Sequence, residues 1–548
     1  MIGVIANSAE HDVVCEFFEL FKTPWELYQS DRQYEVLLCA GSGDFAKHAA
    51  KLVLIYSSEN FVFDFPEKIE IASRKRNRTL LHRGARLPIY GDGITFRENG
   101  TDLLIDEESR QAAMGQYKSP DGVVMRIGYD LFGEVRSLLT EGQPAACADI
   151  PTLELHIALL RDLIITSGVS LVEVPPVPNG YRFIACLTHD VDHPSIVQHK
   201  WDHTVFGFLY RAIFGSLSNF FRGRIPVRNL LTNWAAALKL PFIHMGFAND
   251  FWGDFEGRYG ELEKGLCSTF FVIPFKNHAG SDFGDLAPSF RASRYGATDI
   301  AGTIEKILAA GNEVGLHGID AWADSSKGLE EFEELRRLTG ISELGVRMHW
   351  LYYGQQSPLA LEQAGAIYDS TIGYRETVGY RAGTTQVYKP LQTTQLLELP
   401  MHVMDTALFY PAYLGLSSRQ ATTLIGEMVD NAVGFGGCLT INWHDRSLAP
   451  ERLWDTCYRD LVRDMKDRGA WFATAAQATS WFRKRRSVVF EMDWVGKDAQ
   501  HVIASADRCD NLPSLLLRIH NTTESIKVGS KGYADTAFDE SADNLVSR

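Results

Sequence analysis

No stretch of this 548-residue chain carries the roughly 18 or more uninterrupted apolar residues that a membrane-spanning helix needs, so no such span is expected. Basic charge is also short. Lys and Arg number 54 against 69 Asp and Glu, a formal net charge of −15, and without an extended basic stripe this argues against a general affinity for nucleic acid. The basic clusters RKRNR (74–78) and RKRR (483–486) are too short to change that and read as solvated surface. Cysteine is sparse: the eight are scattered and none forms a CxxC pair. Cys186, Cys267 and Cys438 lie in apolar runs where a reduced thiol packs as a small hydrophobe, which points to the cytosol. The opening MIGVIANSAEHDVVCEFF lacks a basic n-region, so a cleaved export signal is not expected. What is present is the composition of a soluble globular protein, 45% hydrophobic and 22% charged, long enough for two or three domains.

Residues 1–178 mix short apolar runs with turn residues and read as an N-terminal α/β domain. It ends in a helix over about 151–168, with Leu153, His156, Ile157, Leu160, Leu163 and Ile164 at helical spacing, followed by a PPVPNG linker (175–180). From 179 to 486 strands alternate with helices. The predicted strands are 183–188, 268–275, 313–317, 345–349, 366–371, 396–401, 438–444 and 470–475, with a clear amphipathic helix at 298–310. Seven or eight strand–helix units in about 300 residues favour a parallel (β/α) barrel over an open sheet. An insertion at 195–260 interrupts the rhythm and holds the aromatic stretch 204–221. That stretch admits two readings, a helix packed on the core or a surface helix touching a bilayer or lipid-linked substrate. Residues 487–548 read as a small β appendage (VVFEM, HVIASA, LLLRIH) with a disordered acidic end.

The strand ends carry the chemistry. FIACLTHDVDHPS (183–195) runs a buried-looking strand into Asp190 and Asp192. Later strands end in His317, in Arg347 and His349, near Asp405, and in His444 and Asp445. In a parallel barrel the carboxyl ends of strands converge on one face, so these residues are expected to meet. Asp and neutral His are oxygen and nitrogen ligands of zinc-like cations. Two carboxylates in Asp-x-Asp can reach one cleft, one binding metal and the other free to take a proton.

In these motifs the sequence resembles the polysaccharide deacetylases, the chitin- and peptidoglycan-deacetylase-like carbohydrate esterases with a NodB-homology domain. LTHDVDH, STFFV, EVGLHG, VRMHW, LELPMHVMD and TINWHD follow that family's motif order over about 181–485. The resemblance implies a distorted (β/α) barrel and a divalent metal, zinc above all. It also implies roles: Asp190 as general base, Arg347 as its partner, Asp192 and His317 as metal ligands, His444 as general acid and Asp405 as the carboxylate that orients it. One position departs from the pattern. Where the family carries a second histidine four residues after the first, this chain has Ala321, so a third ligand must come from Asp320 or His349, of which His349 is preferred. His189 and His193 read as structural neighbours. Trp350, Tyr352, Tyr353, Tyr374 and Trp443 lie beside the motifs, and their rings suit sugar faces, although core packing also explains such residues.

The implied activity is metal-dependent removal of N-acetyl groups from a sugar or polysaccharide precursor, nucleotide- or lipid-linked, in the cytoplasm or at the inner membrane surface. Ala321 leaves open a metal-free protein that binds glycan or a partner, and the same fold could cleave another non-peptide C–N bond.

Overall fold

The computed structural model describes residues 1–548 except 41–49, 98–99, 284, 496–497, 508, 510, 521–531, 540–543 and 548. Its centre is a curled parallel sheet whose strands are β1 (Phe183–Val191), β2 (Thr269–Val272), β3 (Glu313–Gly318), β4 (Leu344–Met348), β5 (Ala366–Asp369), β6 (Leu397–Glu398), β7 (Val403–Met404), β8 (Cys438–Asn442) and β9 (Ala470–Phe472). Side-by-side order is β6-β5-β4-β3-β2-β1-β8-β7. β9 pairs the first three residues of β1 and leaves its other end to β2. All nine residues of β1 are buried, as expected of a parallel strand covered on both faces.

The two edges of this sheet belong to one stretch of chain. Of the expected strand 396–401 only Leu397–Glu398 forms as β6, and the chain runs on to β7 beyond it. Between them Leu399 and Met401 donate to Asp369 and Ile372 on one side (2.7 and 2.8 Å), and His402 donates to Thr440 on the other (3.0 Å). Pro400, which has no N–H to offer a ladder, sits at the break. The result is a distorted (β/α) barrel. Helices such as Ala301–Ala309, Ser325–Thr339, Ser418–Phe435 and Asp455–Asp467 cover it, and their buried residues join one large core with the strands.

Before the barrel, a six-stranded sheet orders Trp25–Leu27, Ile2–Ile5, Val36–Ala40, Leu52–Tyr56, Gly122–Ile127 and Met114–Ser119. The helix Thr152–Thr166 packs beneath it, and Ala382 and Tyr388 of the barrel loops share that core. The PPVPNG segment is not a free tether. Pro175, Pro176 and Pro178 are buried, and the Pro176 carbonyl accepts from Gly437 (2.7 Å). Nor is RKRR solvated. Lys484 and Arg485 are buried, and Arg485 donates to the carbonyls of Val174, Glu19 and Leu20, because these backbone groups need a donor where three parts of the chain meet. In RKRNR, residues 74–77 are exposed but Arg78 is buried against Asp106 (2.9 Å).

After the barrel, Leu516–His520 pairs with Leu171–Glu173 and with Tyr533–Ala537, while Asn544–Ser547 completes a sheet with Asp498–Ser505 and Val489–Val495. The acidic end read as disordered therefore contains two strands, each taking up the open edge of a neighbour. The remainder of that call, at 521–531, 540–543 and 548, lies outside the described residues.

Candidate active site

Asp190 and Asp192 stand two residues apart at the end of β1, so their side chains leave the strand on the same side. Beside them, β3 delivers His317 in register with Arg347 of β4. Across β1, the strand β8 ends in Asn442, and His444 follows two residues later. Seven residues distant in sequence thus meet at one barrel mouth: Asp190, Asp192, His317, Arg347, His349, Asp405 and His444.

Asp190 is fixed from two sides. Arg347 Nη1 donates to its Oδ1 (3.0 Å) and Asn442 Nδ2 to its Oδ2 (2.7 Å). The guanidinium is itself held by Ser370 O, Ser370 Oγ and Thr188 Oγ1, and lies 4.5 Å from the Phe271 ring centroid. Burial alone would raise the Asp190 carboxyl, but Arg347, with His317 and His444 behind it, holds it below the ordinary carboxylate value. It stays ionised at neutral pH.

A different arrangement surrounds Asp192. His317 Nδ1 is 2.9 Å from the Arg347 carbonyl, which can only accept, so Nδ1 carries a proton and in the neutral ring Nε2 is bare. By the same logic His349 donates from Nε2 to the Arg291 carbonyl (3.2 Å) and leaves Nδ1 bare. These two bare nitrogens face each other at 3.0 Å, and each is 3.3 Å from Asp192 Oδ1. Asp192 Oδ1 is buried and has no hydrogen-bond donor. Three lone pairs therefore converge without a proton between them, and burial, outweighing the nearby Asp192, keeps His349 below its ordinary value. A cation resolves this crowding. Ligands about 2.0–2.2 Å from a tetrahedral ion lie about 3.3–3.6 Å from one another, so the observed separations would need to open by only a few tenths of an ångström, and a fourth vertex is left for another group. Asp192, His317 and His349 could thus hold a divalent metal.

Asp320, the other candidate third ligand, is already engaged. It accepts from Ser281 N (2.7 Å), His278 (3.0 Å) and Lys327 (3.1 Å). Ala321 is fully buried beside Gly328 and has no ligand atom to offer.

His444 faces the same cleft, its Nε2 3.8 Å from Asp192 Oδ2. Its Nδ1 donates to Asp405 Oδ1 (2.6 Å), and its backbone N–H donates to Asp405 Oδ2 (2.8 Å). Ser447, braced by Arg452 Nη1 (2.9 Å), also donates to Asp405. Burial opposes the imidazolium, but Asp405, and then Asp192 and Asp190, lift His444 to about 9. It is a proton donor at neutral pH.

The neighbouring histidines are structural. His189 bridges the Trp443 carbonyl (2.8 Å) and Glu263 (3.0 Å), and His193 contacts His199 (3.1 Å). Two of the expected sugar-stacking rings do not reach the mouth. Trp443 is fully buried between Phe409 and Tyr458, and Tyr374 is buried with its hydroxyl donating to Gln143 O (2.7 Å). Sequence proximity to a motif placed both on the wrong side of the chain. Trp350 is half-buried beside His349, whereas Tyr352 is buried, with Arg291 and Arg375 lying 4.3 and 5.2 Å from its ring centroid. Trp350 and Leu351 adopt positive φ (64° and 52°), a strain of about 1–3 kcal/mol each, and this turn sets Trp350 against Phe290 and Tyr352. Tyr353 is half-buried.

Three contributors escaped the sequence reading: Asn442, Ser447 and Arg291. Asn442 could have been found, because it precedes His444 by two in TINWHD and so shares its side of the chain. Ser447 and Arg291 act through a loop contact and a carbonyl, for which residue type gives no signal.

No family model matches this chain, and no curated protein does. Among solved structures it is similar to a candidate polysaccharide deacetylase from Mycobacterium smegmatis (18% identity, TM-score 0.34, covering 57% of this chain and 95% of that one). It is also similar to a family 4 acetyl xylan esterase from Clostridium thermocellum in complex with a cobalt ion (11%, 0.26, 54% and 91%). A third is a candidate polysaccharide deacetylase involved in O-antigen biosynthesis from Bordetella bronchiseptica (12%, 0.21, 56% and 92%).

Proposed function

We propose that this protein is a metal-dependent hydrolase that removes N-acetyl groups from a sugar, with Asp192, His317 and His349 as the metal ligands. The convergence of three unprotonated donor atoms beside an ionised carboxylate and a protonated imidazole carries this reading. When bound, a divalent cation supplies Lewis acidity to the acetamide carbonyl and acidifies the attacking water.

The chain's own groups then divide the proton work. Asp190, aimed by Arg347 and Asn442, takes the proton that water loses as its oxygen bonds to the carbonyl carbon. His444, kept protonated by Asp405, gives its Nε2 proton to the sugar nitrogen as the C–N bond breaks, and acetate and a free amine leave. Trp350, half-buried beside His349, offers a ring face to the sugar. A lipid- or nucleotide-linked saccharide handled in the cytoplasm fits a chain whose eight cysteines are all free thiols.

Acetate release from a panel of N-acetylated saccharides tests the proposal. Activity should vanish on chelation, return with a divalent metal, and fall by about 10²–10⁴ in Asp190→Asn and His444→Gln. Full turnover by either variant would refute it.

A further inference from the structure

The insertion after β1 carries a surface that the proposed chemistry does not use. His203–Tyr210, the π turn Arg211–Gly215 and Ser216–Phe221 form one arm of a hairpin, and the 18-residue helix Val227–His244 forms the other. Between them and the barrel lies a small core of Val205, Phe208, Ala212, Ala236, Leu240 and Ile243. The opposite face of the long helix is also apolar. Val227, Leu231, Trp234, Leu238, Phe242 and, just past its end, Met245 are exposed by 38–75%. Their spacing of four, three, four, four and three residues puts them on one stripe. The first arm adds Phe206, Tyr210 and Phe214, each more than half exposed, and Trp234 Nε1 donates to Ile213 O (3.3 Å), which brings the two stripes together. Single exposed apolar residues are ordinary; a continuous apolar face the length of a helix marks an interaction surface.

Charge selects the partner. From His203 to Asn249 there is no Asp or Glu, in a chain whose net charge is −15, whereas Arg222, Arg224, Arg228 and Lys239 are exposed there. Arg228 and Lys239 lie on one flank of the stripe, where long cationic side chains can reach anionic headgroups as the apolar rings enter the acyl boundary. Among the described residues no helix is long and apolar enough to cross a membrane, so the hairpin can only lie along one. It lies at the end of the barrel that holds the site. Glu451, in the loop that follows His444, pairs with Arg211 and donates its N–H to Asn233 (2.8 Å). His203 touches Phe290, which touches Trp350 beside His349.

We propose that this hairpin is a docking surface for an anionic lipid bilayer, lying flat with its apolar stripe in the membrane interface. The barrel mouth is then held at the surface where a lipid-linked saccharide would present its sugar; this last step rests on the deacetylase proposal, while the docking itself does not.

Cosedimentation of the full chain with phosphatidylcholine vesicles containing phosphatidylglycerol, against pure phosphatidylcholine, tests the docking. The protein should pellet with the anionic vesicles, much less with neutral ones, and be released by high salt. Arg228→Gln/Lys239→Gln should weaken partitioning by roughly tenfold or more. Leu231→Ser/Leu238→Ser/Phe242→Ser should abolish it while keeping the wild-type metal content and melting profile. Wild-type protein left in the supernatant with anionic vesicles would overturn the proposal. So would a triple-substituted chain that still pellets, or a solution dimer that the same substitutions split into monomers, since the stripe would then join two copies. Failure of the deacetylase reading would appear as absent acetate release and leave the vesicle result unchanged.

Discussion

At His444 two carboxylates decide the chemistry: Asp405 on one ring nitrogen and Asp192 beyond the other. Because Asp405 supports the charged ring, His444 is protonated below about 9 and loses its proton as pH rises through that value. An enzyme that needs the imidazolium should therefore lose activity on the alkaline side. Asp405→Asn removes the largest favourable neighbour, and the alkaline limb of kcat against pH should move down by about one to three units. A limb that stays in place would mean that His444 is not the donor. At Asp190 the structure adds a cost that the motif does not reveal. Arg347 is fully buried, so Asp190→Asn leaves a buried cation without its counter-charge. A melting measurement should accompany every activity measurement on that variant.

Among the strands, the same buried ends that carry the proposed site also hold acids with no place in it. Asp369 of β5 and Glu398 of β6 are partners in register, both buried, each with one oxygen lacking a donor. Burial pushes both above the ordinary carboxylate value, so the pair keeps a proton near neutrality. The sign follows from the raised folded values. Stability is fully present below the ordinary carboxylate pKa of about 4, and declines as pH rises through the folded values. Asp369→Asn should flatten that decline in denaturant midpoints measured upward from pH 4 through neutrality; an unchanged slope would show that the pair does not titrate. The strands themselves were legible because each is a short apolar run ending in polar residues, and Asp190, Asp192, His317 and Arg347 were legible because parallel strands must end together. His349 is preferred over Asp320 from its strand-end position, and the structure adds the physical reason: its far nitrogen faces a carbonyl while Asp320 is already engaged. Tyr374 and Trp443 were misread because adjacency in sequence does not say which way a ring points. The break at Pro400 was hidden because a run of apolar residues looks alike whether it serves one strand or bridges two.

Over the whole molecule, the cluster RKRR joins pieces far apart in sequence. Arg485 reaches Val174, Glu19 and Leu20, and Arg486 forms an ion pair with Glu16 (2.8 Å), so the last barrel helix clasps the first helix of the chain and the segment leading into the barrel. Short basic clusters are usually solvated, and nothing local distinguishes this one; the carbonyls that Arg485 holds lie more than 300 residues away. Arg485→Met would strand two buried carbonyls and a half-buried one and should lower stability by about 3–5 kcal/mol in urea denaturation, whereas a loss below about 1 kcal/mol would place the clasp at the surface. The proposed chemistry depends on one cation shared by the end of β1, β3 and the residue after β4. Metal content of the purified chain after incubation with zinc or cobalt and removal of excess is the direct measurement. One equivalent per chain, lost in Asp192→Asn and in His349→Ala while both variants stay folded, is the predicted result; a wild-type chain that retains no metal would contradict it.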